Sequence, residues 1–147
     1  MLTTNEQPII SVNLNTLTQF LKKAKLETFA SGKRPQKQDL IRLFTYQEGA
    51  WSYEDRYTGS IVDVGLEIVK CENIPIWGMS YRGGMLADFN STLLSTETFM
   101  FLKQALKNMP EAMPIRGDSS FNSGDWLYKN RSEERRVGKE CRASWSS

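Results

Sequence analysis

The sequence predicts an α+β domain: an antiparallel β-meander of about four to five strands with two helices packed on one face. Three observations carry this. Between about Leu40 and Arg82 the residues alternate in character with a period of two, as strands do. The connections between those runs are short, which suits antiparallel neighbours, because parallel pairing needs a long crossover. On either side, apolar residues recur at the i, i+3, i+4, i+7 spacing of a helix face.

Residues 1–13 have no sustained period and are expected to form an N-terminal arm, with a single domain over 14–130. Asn15 is a suitable N-cap for a helix that buries Leu17, Phe20, Leu21 and Ala24, with Lys22, Lys23 and Lys25 on the other side. Ser31-Gly32-Lys33-Arg34-Pro35 ends it, since glycine accepts the left-handed terminal conformation and proline cannot continue the ladder. In the first strand Ile41, Leu43 and Thr45 alternate with Arg42, Phe44 and Tyr46, and Gly49 turns the chain. Trp51, Tyr53, Asp55 and Tyr57 share one side of the second, which Gly59 closes.

The third strand sets Val62, Val64, Leu66 and Ile68 on one face and Asp63, Gly65 and Glu67 on the other. Cys71-Glu72-Asn73 connects it to a fourth in which Trp77, Met79 and Tyr81 share a face, and Gly83-Gly84 ends the run. A second helix is expected to start at Ser95 as its cap, with Glu97 in the first turn, Phe99, Leu102, Leu106 and Met109 as its stripe, and Pro110 as its stop. Glu111 to Asp125 reads as a surface loop, and Trp126-Leu127-Tyr128 as the beginning of another strand.

Formal charge is +2, from 19 basic and 17 acidic residues. Residues 131–147 hold five of the former and three of the latter, so the rest of the chain is neutral with fourteen of each. Arg131-Ser132-Glu133-Glu134-Arg135-Arg136-Val137-Gly138-Lys139-Glu140-Cys141 resembles a sequencing adapter translated in frame, and 131–147 is expected to be a non-native, disordered tail. Nothing basic then points to direct nucleic-acid contact. Without the tail Cys71 stands alone, which removes any intrachain disulfide. The start of the chain lacks a secretory signal and no apolar run is long enough to span a bilayer, so the expected setting is cytoplasmic, with no membrane partner.

With no histidine, Ser-His-Asp and Cys-His pairs are excluded and the commonest metal ligand is missing. No phosphate-binding glycine loop is present, and neither a metal nor any other cofactor is expected. Carboxylates remain at Glu48, Asp55, Asp63 and Glu67. They can lie at turns and on a solvated face, or a buried pair can perform acid–base chemistry. Glu67 shares a face with the aromatic residues of its neighbours if the register permits. Trp51, Tyr53, Tyr57, Glu67, Trp77 and Tyr81 are therefore the candidate ligand-binding residues, and no catalytic residue is assigned. Aromatic side chains with polar tips suit a pocket, but cross-strand aromatic pairs also stabilise a sheet that binds nothing. Both readings stay open.

Three runs are distinctive: Tyr46-x-Glu48-Gly49-x-Trp51-x-Tyr53-x-Asp55-x-Tyr57-x-Gly59, Gly65-x-Glu67-x-Val69, and Pro75-x-Trp77-x-Met79-x-Tyr81-x-Gly83. Over about Leu17 to Lys129 the chain resembles the bacterial family described as domain of unknown function 5680, whose members stand alone or behind an XRE-type helix-turn-helix. Arg116-Gly117 also fits, whereas Asp118 stands where the family tends to have proline. The resemblance implies a second, shorter meander after Tyr128, so C-terminal strands are expected to be missing by truncation, with association through an exposed sheet edge. The function expected is a non-catalytic ligand-binding or sensor module, related to domains attached to transcription regulators, that takes a small molecule or a protein segment. A small carboxylate-dependent enzyme using Glu67 is the alternative, and a structural protein-interaction domain the second.

Overall fold

A computed structural model describes residues 11–89, 91–110 and 120–130. The N-terminal part of the arm, most of the loop after Glu111 and the whole 131–147 segment lie outside the described residues.

Helix α1 spans Leu14–Glu27. Its cap is Asn13 rather than Asn15: the Asn13 carboxamide oxygen accepts from the backbone N–H groups of Asn15 and Thr16, at 2.9 and 3.4 Å. This satisfies donors that a helix start otherwise leaves open. The expected stripe of Leu17, Phe20, Leu21 and Ala24 is buried, but Lys25 is buried with it instead of decorating the solvent side. A single 3-10 turn, Phe29–Ser31, follows, and Gly32 closes it at φ +81°.

Five strands make one antiparallel meander in chain order: β1 Gln36–Gln38, β2 Ile41–Glu48, β3 Trp51–Gly59, β4 Val62–Cys71 and β5 Ile74–Gly84. The short β1 precedes the first strand expected from the sequence, which contains Ile41. Glu72 and Asn73 both have positive φ between β4 and β5, as a tight two-residue hairpin demands. The register aligns Phe44, Asp55, Glu67 and Met79 in one row across the sheet, Tyr46, Tyr53, Val69 and Trp77 in the next, and Tyr57, Gly65 and Tyr81 in a third. All three rows face the helices.

The core lies between α1 and this face. Leu17, Phe20, Leu21 and Ala24 pack with Tyr53 and Val69, bordered by Tyr46, Trp51 and Trp77. The Phe20 ring lies 5.4 Å from Trp51 and 5.8 Å from Tyr46, centroid to centroid. The apolar row of β4 points the other way: Val62, Val64 and Leu66 are exposed on the outer face of the sheet. Its inward row holds Asp63, Gly65, Glu67 and Val69, so this strand presents its acids toward the helices.

Helix α2, Thr92–Lys107, is preceded by a 3-10 turn at Ala87–Phe89 and begins one turn earlier than its sequence suggests. Ser91 is the cap and accepts from the Leu94 N–H at 3.1 Å, so Glu97 is not in the first turn. Ser95 sits inside the helix and donates instead to the Ser60 carbonyl at 2.8 Å, tying α2 to the β3–β4 turn. Ser95, Phe101 and Ala105 are its buried residues and Met109 is buried just past its end, whereas Phe99, Leu102 and Leu106 are only half-buried. Trp126–Lys129 is a strand, as expected, but it pairs with Ser120–Ser123 in a separate hairpin, β6–β7, rather than joining the sheet. Phe101 docks that hairpin, with ring centroids 5.7 Å from Phe121 and 5.6 Å from Trp126.

Candidate functional site

Between the helix-facing rows of β2–β5 and helix α2 is a cavity of about 560 Å³, within the range of small-molecule sites. Its two sides differ. The side formed by α2 sets Phe99, Leu102 and Leu106 among threonines, Ser95 and Lys103, and the cavity explains why those three apolar side chains are only half-buried. The sheet side is polar and carries Asp55, Asp63, Glu67, Tyr53, Tyr57 and Tyr81.

Asp55 and Glu67 are direct cross-strand partners, and both are buried. Lys25 reaches from α1 to the Glu67 carboxylate, with Nζ 2.9 Å from Oε1 and 2.7 Å from Oε2. Only the first contact has hydrogen-bonding geometry, so Oε2 stays in the ion pair without a hydrogen bond. The Tyr53 hydroxyl is buried against the same glutamate, and its pKa is driven up, by burial first and then by the charges of Glu67 and Asp55.

Tyr81 donates to Oδ1 of Asp55 at 2.8 Å, which requires its ring on β5 to lie across β4 to reach β3. Gly65 makes that crossing possible. A Cβ at this position would lie 2.7 Å from Cε1 of Tyr81 and closer still to Cζ and the hydroxyl. The same device recurs on β5, where a Cβ on Gly83 would meet Oδ1 of Asp63 at 2.7 Å.

Burial pushes the Asp55 carboxyl up to about 6; the Tyr81 hydrogen bond opposes this, the Glu67 charge adds to it, Lys25 opposes it, and Asp63 adds to it. A carboxyl group that changes charge near neutral pH is suited to proton transfer or to pH-dependent binding. Arg42 completes the wall on β2: its guanidinium donates to the Gly59 carbonyl and stands 5.7 Å from the Tyr57 ring centroid.

Of the six residues singled out by sequence, Tyr53, Tyr57, Glu67 and Tyr81 converge on the cavity, whereas Trp51 and Trp77 pack against the α1 core and are not among its walls. Tyr53 belongs to both sets, a member of the buried core cluster and a residue of the cavity lining. Sequence reasoning missed Lys25 and Arg42, and raised Asp55 and Asp63 only as carboxylates that could pair, not among the ligand-binding residues. Lys25 had a signal, since it continues the i, i+4 series Leu17, Leu21 on the buried stripe. Among the described residues no group of His, Cys, Asp and Glu is placed to hold a metal, and no helix is long and apolar enough to cross a membrane.

A family model described as Domain of unknown function (DUF5680) matches residues 55–138, more than half of the chain. The match begins at Asp55, takes in Asp63, Gly65, Glu67 and Tyr81, and runs into the segment after Asn130 that lies outside the described residues. No curated protein and no solved structure matches the chain. The chain belongs to the DUF5680 family.

Proposed function

We propose that this member of the DUF5680 family is a ligand-binding module that takes up a small molecule between its sheet and helix α2. One observation carries the reading: a cavity of about 560 Å³ with Phe99, Leu102 and Leu106 on its α2 side and a floor that holds buried, hydrogen-bonded ionisable groups. A core stabilised only by packing gains nothing from such a floor, because desolvating carboxyl groups is costly and well-packed apolar residues would serve at least as well. Sites that orient a small ligand combine apolar walls with a few fixed polar groups. The same cavity supports a sensor role, since α2 forms one side of it and a ligand there would touch both the sheet and the helix.

The neutral dye N-phenyl-1-naphthylamine tests this. Saturable fluorescence enhancement at one site per chain is expected, weakened about tenfold or more by Leu102→Trp, which fills the cavity from α2. No saturable binding, or binding indifferent to Leu102→Trp, overturns the reading.

The enzymatic alternative is favoured by the Asp55–Glu67 adjacency. On that reading Asp55, rather than Glu67, is the acid or base, because Glu67 is committed to Lys25 whereas the Asp55 carboxyl is raised to about 6. Its mark is a rate limb near pH 6 that Asp55→Asn removes while dye affinity is retained.

A further inference from the structure

We infer that the chain carries one helix-and-hairpin unit twice, and that the second copy, α2 with β6–β7, is the half of the cavity that takes the ligand's uncharged end, through Leu106 and Tyr128. The inference rests on the binding reading and gives the ligand an orientation.

The repeat shows first in the sequence. Phe20-Leu21-Lys22-x-Ala24 on α1 recurs as Phe101-Leu102-Lys103-x-Ala105 on α2. After each helix comes a hairpin of one pattern, Tyr46-x-x-Gly49-x-Trp51-x-Tyr53 and Phe121-x-x-Gly124-x-Trp126-x-Tyr128. Short matches arise by chance, so the geometry decides. Gly49 and Gly124 both turn the chain at φ +58°. Tyr46 pairs with Tyr53, and Phe121 with Tyr128, in the same hairpin register. On each helix the phenylalanine is 8% exposed and the alanine at most 1%. Phe20 lies 5.8 Å from the Tyr46 ring and 5.4 Å from Trp51, as Phe101 lies 5.7 Å from Phe121 and 5.6 Å from Trp126. Equivalent residues therefore make equivalent contacts in both units, which helix and turn propensities alone do not require.

Both units give the same two positions to the cavity. Lys25 and Leu106 each follow the buried alanine, Tyr53 and Tyr128 each complete the hairpin pattern, and all four line the space. The units differ in the charge they bring there. Lys25 is ion-paired with Glu67, whereas Leu106 carries no charge. Two residues beyond the tyrosine, Asp55 of the first unit corresponds to Asn130 of the second. Among the described residues β4, which supplies Glu67, has no counterpart beside the two-stranded β6–β7 sheet. Polar groups taken out of water need partners, which the first unit offers in fixed positions. The ligand's polar end is therefore placed beside Tyr53 and Asp55, and its uncharged end against Leu106 and the Tyr128 ring.

Titration with N-phenyl-1-naphthylamine tests the second unit's share. Tyr128→Ala is expected to weaken dye binding about tenfold, and Leu127→Ala, an exposed position on the opposite face of β7, to leave it unchanged. Leu106→Lys restores the first unit's residue without its carboxylate partner. Displacement of the dye by octanoate and n-octanol at pH 7.5 then reads specificity: the preference for octanoate over octanol is expected to rise about tenfold in Leu106→Lys and to stay as in wild type in Leu106→Met. A merely structural role for position 106 would weaken both compounds alike. Urea unfolding checks that each variant folds, and where Tyr128→Ala or Leu106→Lys does not, the other decides. Equal effects of Tyr128→Ala and Leu127→Ala, or an octanoate preference unmoved in folded Leu106→Lys, overturns the role of the second unit while leaving the cavity reading intact. A wild-type chain that binds no dye overturns both.

Discussion

Replacing Asp55 by Asn converts the electrostatics of the floor into a stability measurement. The folded carboxyl has a pKa of about 6 against a reference of 3.8, so the folded chain binds the proton more tightly than the unfolded chain. The sign follows from linkage: the ionised carboxyl is the costly form in the fold, so its penalty is absent at low pH, grows as pH rises from about 4 to 6, and is complete above pH 7. At 1.36 kcal/mol per pKa unit the 2.2-unit difference corresponds to about 3 kcal/mol. Asn has nearly the same shape, its carbonyl can accept from Tyr81, and it does not titrate. Any cost of burying the amide is independent of pH, so the informative quantity is the change with pH in the stability difference between variant and wild type. Because part of the penalty is already in place at pH 4, urea unfolding at pH 4, 5, 6, 7 and 8 is expected to show the variant gaining on wild type by about 2 kcal/mol, a relative midpoint shift of roughly 1 to 2 M for ordinary urea slopes. A difference that stays flat across that range, or that runs the other way, would refute the assignment of Asp55 as the carboxyl held out of water.

Three further experiments probe the packing of the sheet. Lys25→Met leaves Glu67 buried without its cation and is expected to cost about 3 to 5 kcal/mol in chemical denaturation, most of which Lys25→Met combined with Glu67→Gln should restore. Gly65→Ala drives a methyl into the Tyr81 ring and breaks its bond to Asp55, for an expected loss of about 2 to 4 kcal/mol; in a Tyr81→Ala background the same change should cost little, and a double-mutant cycle measures the coupling. The inward and outward rows of β4 are separated by Val69→Ala, expected to cost about 2 to 3 kcal/mol, and Val64→Thr, expected within about 0.5 kcal/mol of wild type; equal costs would contradict the assigned faces.

Much of this architecture is legible before any coordinates. The period-two runs from Ile41 to Arg82 specify the meander and its chain order, and turn length sets Glu67 on the aromatic face of β3, but on β5 a register shift at Val69/Lys70, which alternation does not reveal, is what brings Trp77 and Tyr81 to that face. The site is less legible for three physical reasons. Lysine reads as solvent-facing, yet the Lys25 stem lies along the Leu17 and Leu21 stripe and only its tip meets Glu67. Strand patterning identifies which residues share a face but not which face is covered, and on β4 the charged row turns inward while Val62, Val64 and Leu66 turn out. Trp51 and Tyr57 share a strand face six residues apart, so alternation treats them alike, although α1 covers one and the cavity borders the other. The α2 stripe misleads in a related way, because an apolar surface that roofs a cavity has the same periodicity as one that fills a core.

The missing side chain at position 65 links three strands through one hydrogen atom. Tyr81 can bridge to Asp55 only while the residue between them occupies no space, so positions 65 and 81 are expected to change together. In any homologue that acquires a methyl or more at the first position, the bulky phenol at the second is expected to be replaced in step, and the aspartate must then find another donor. Counting such paired exchanges in an alignment would show whether the bridge, rather than either residue alone, is what selection has kept.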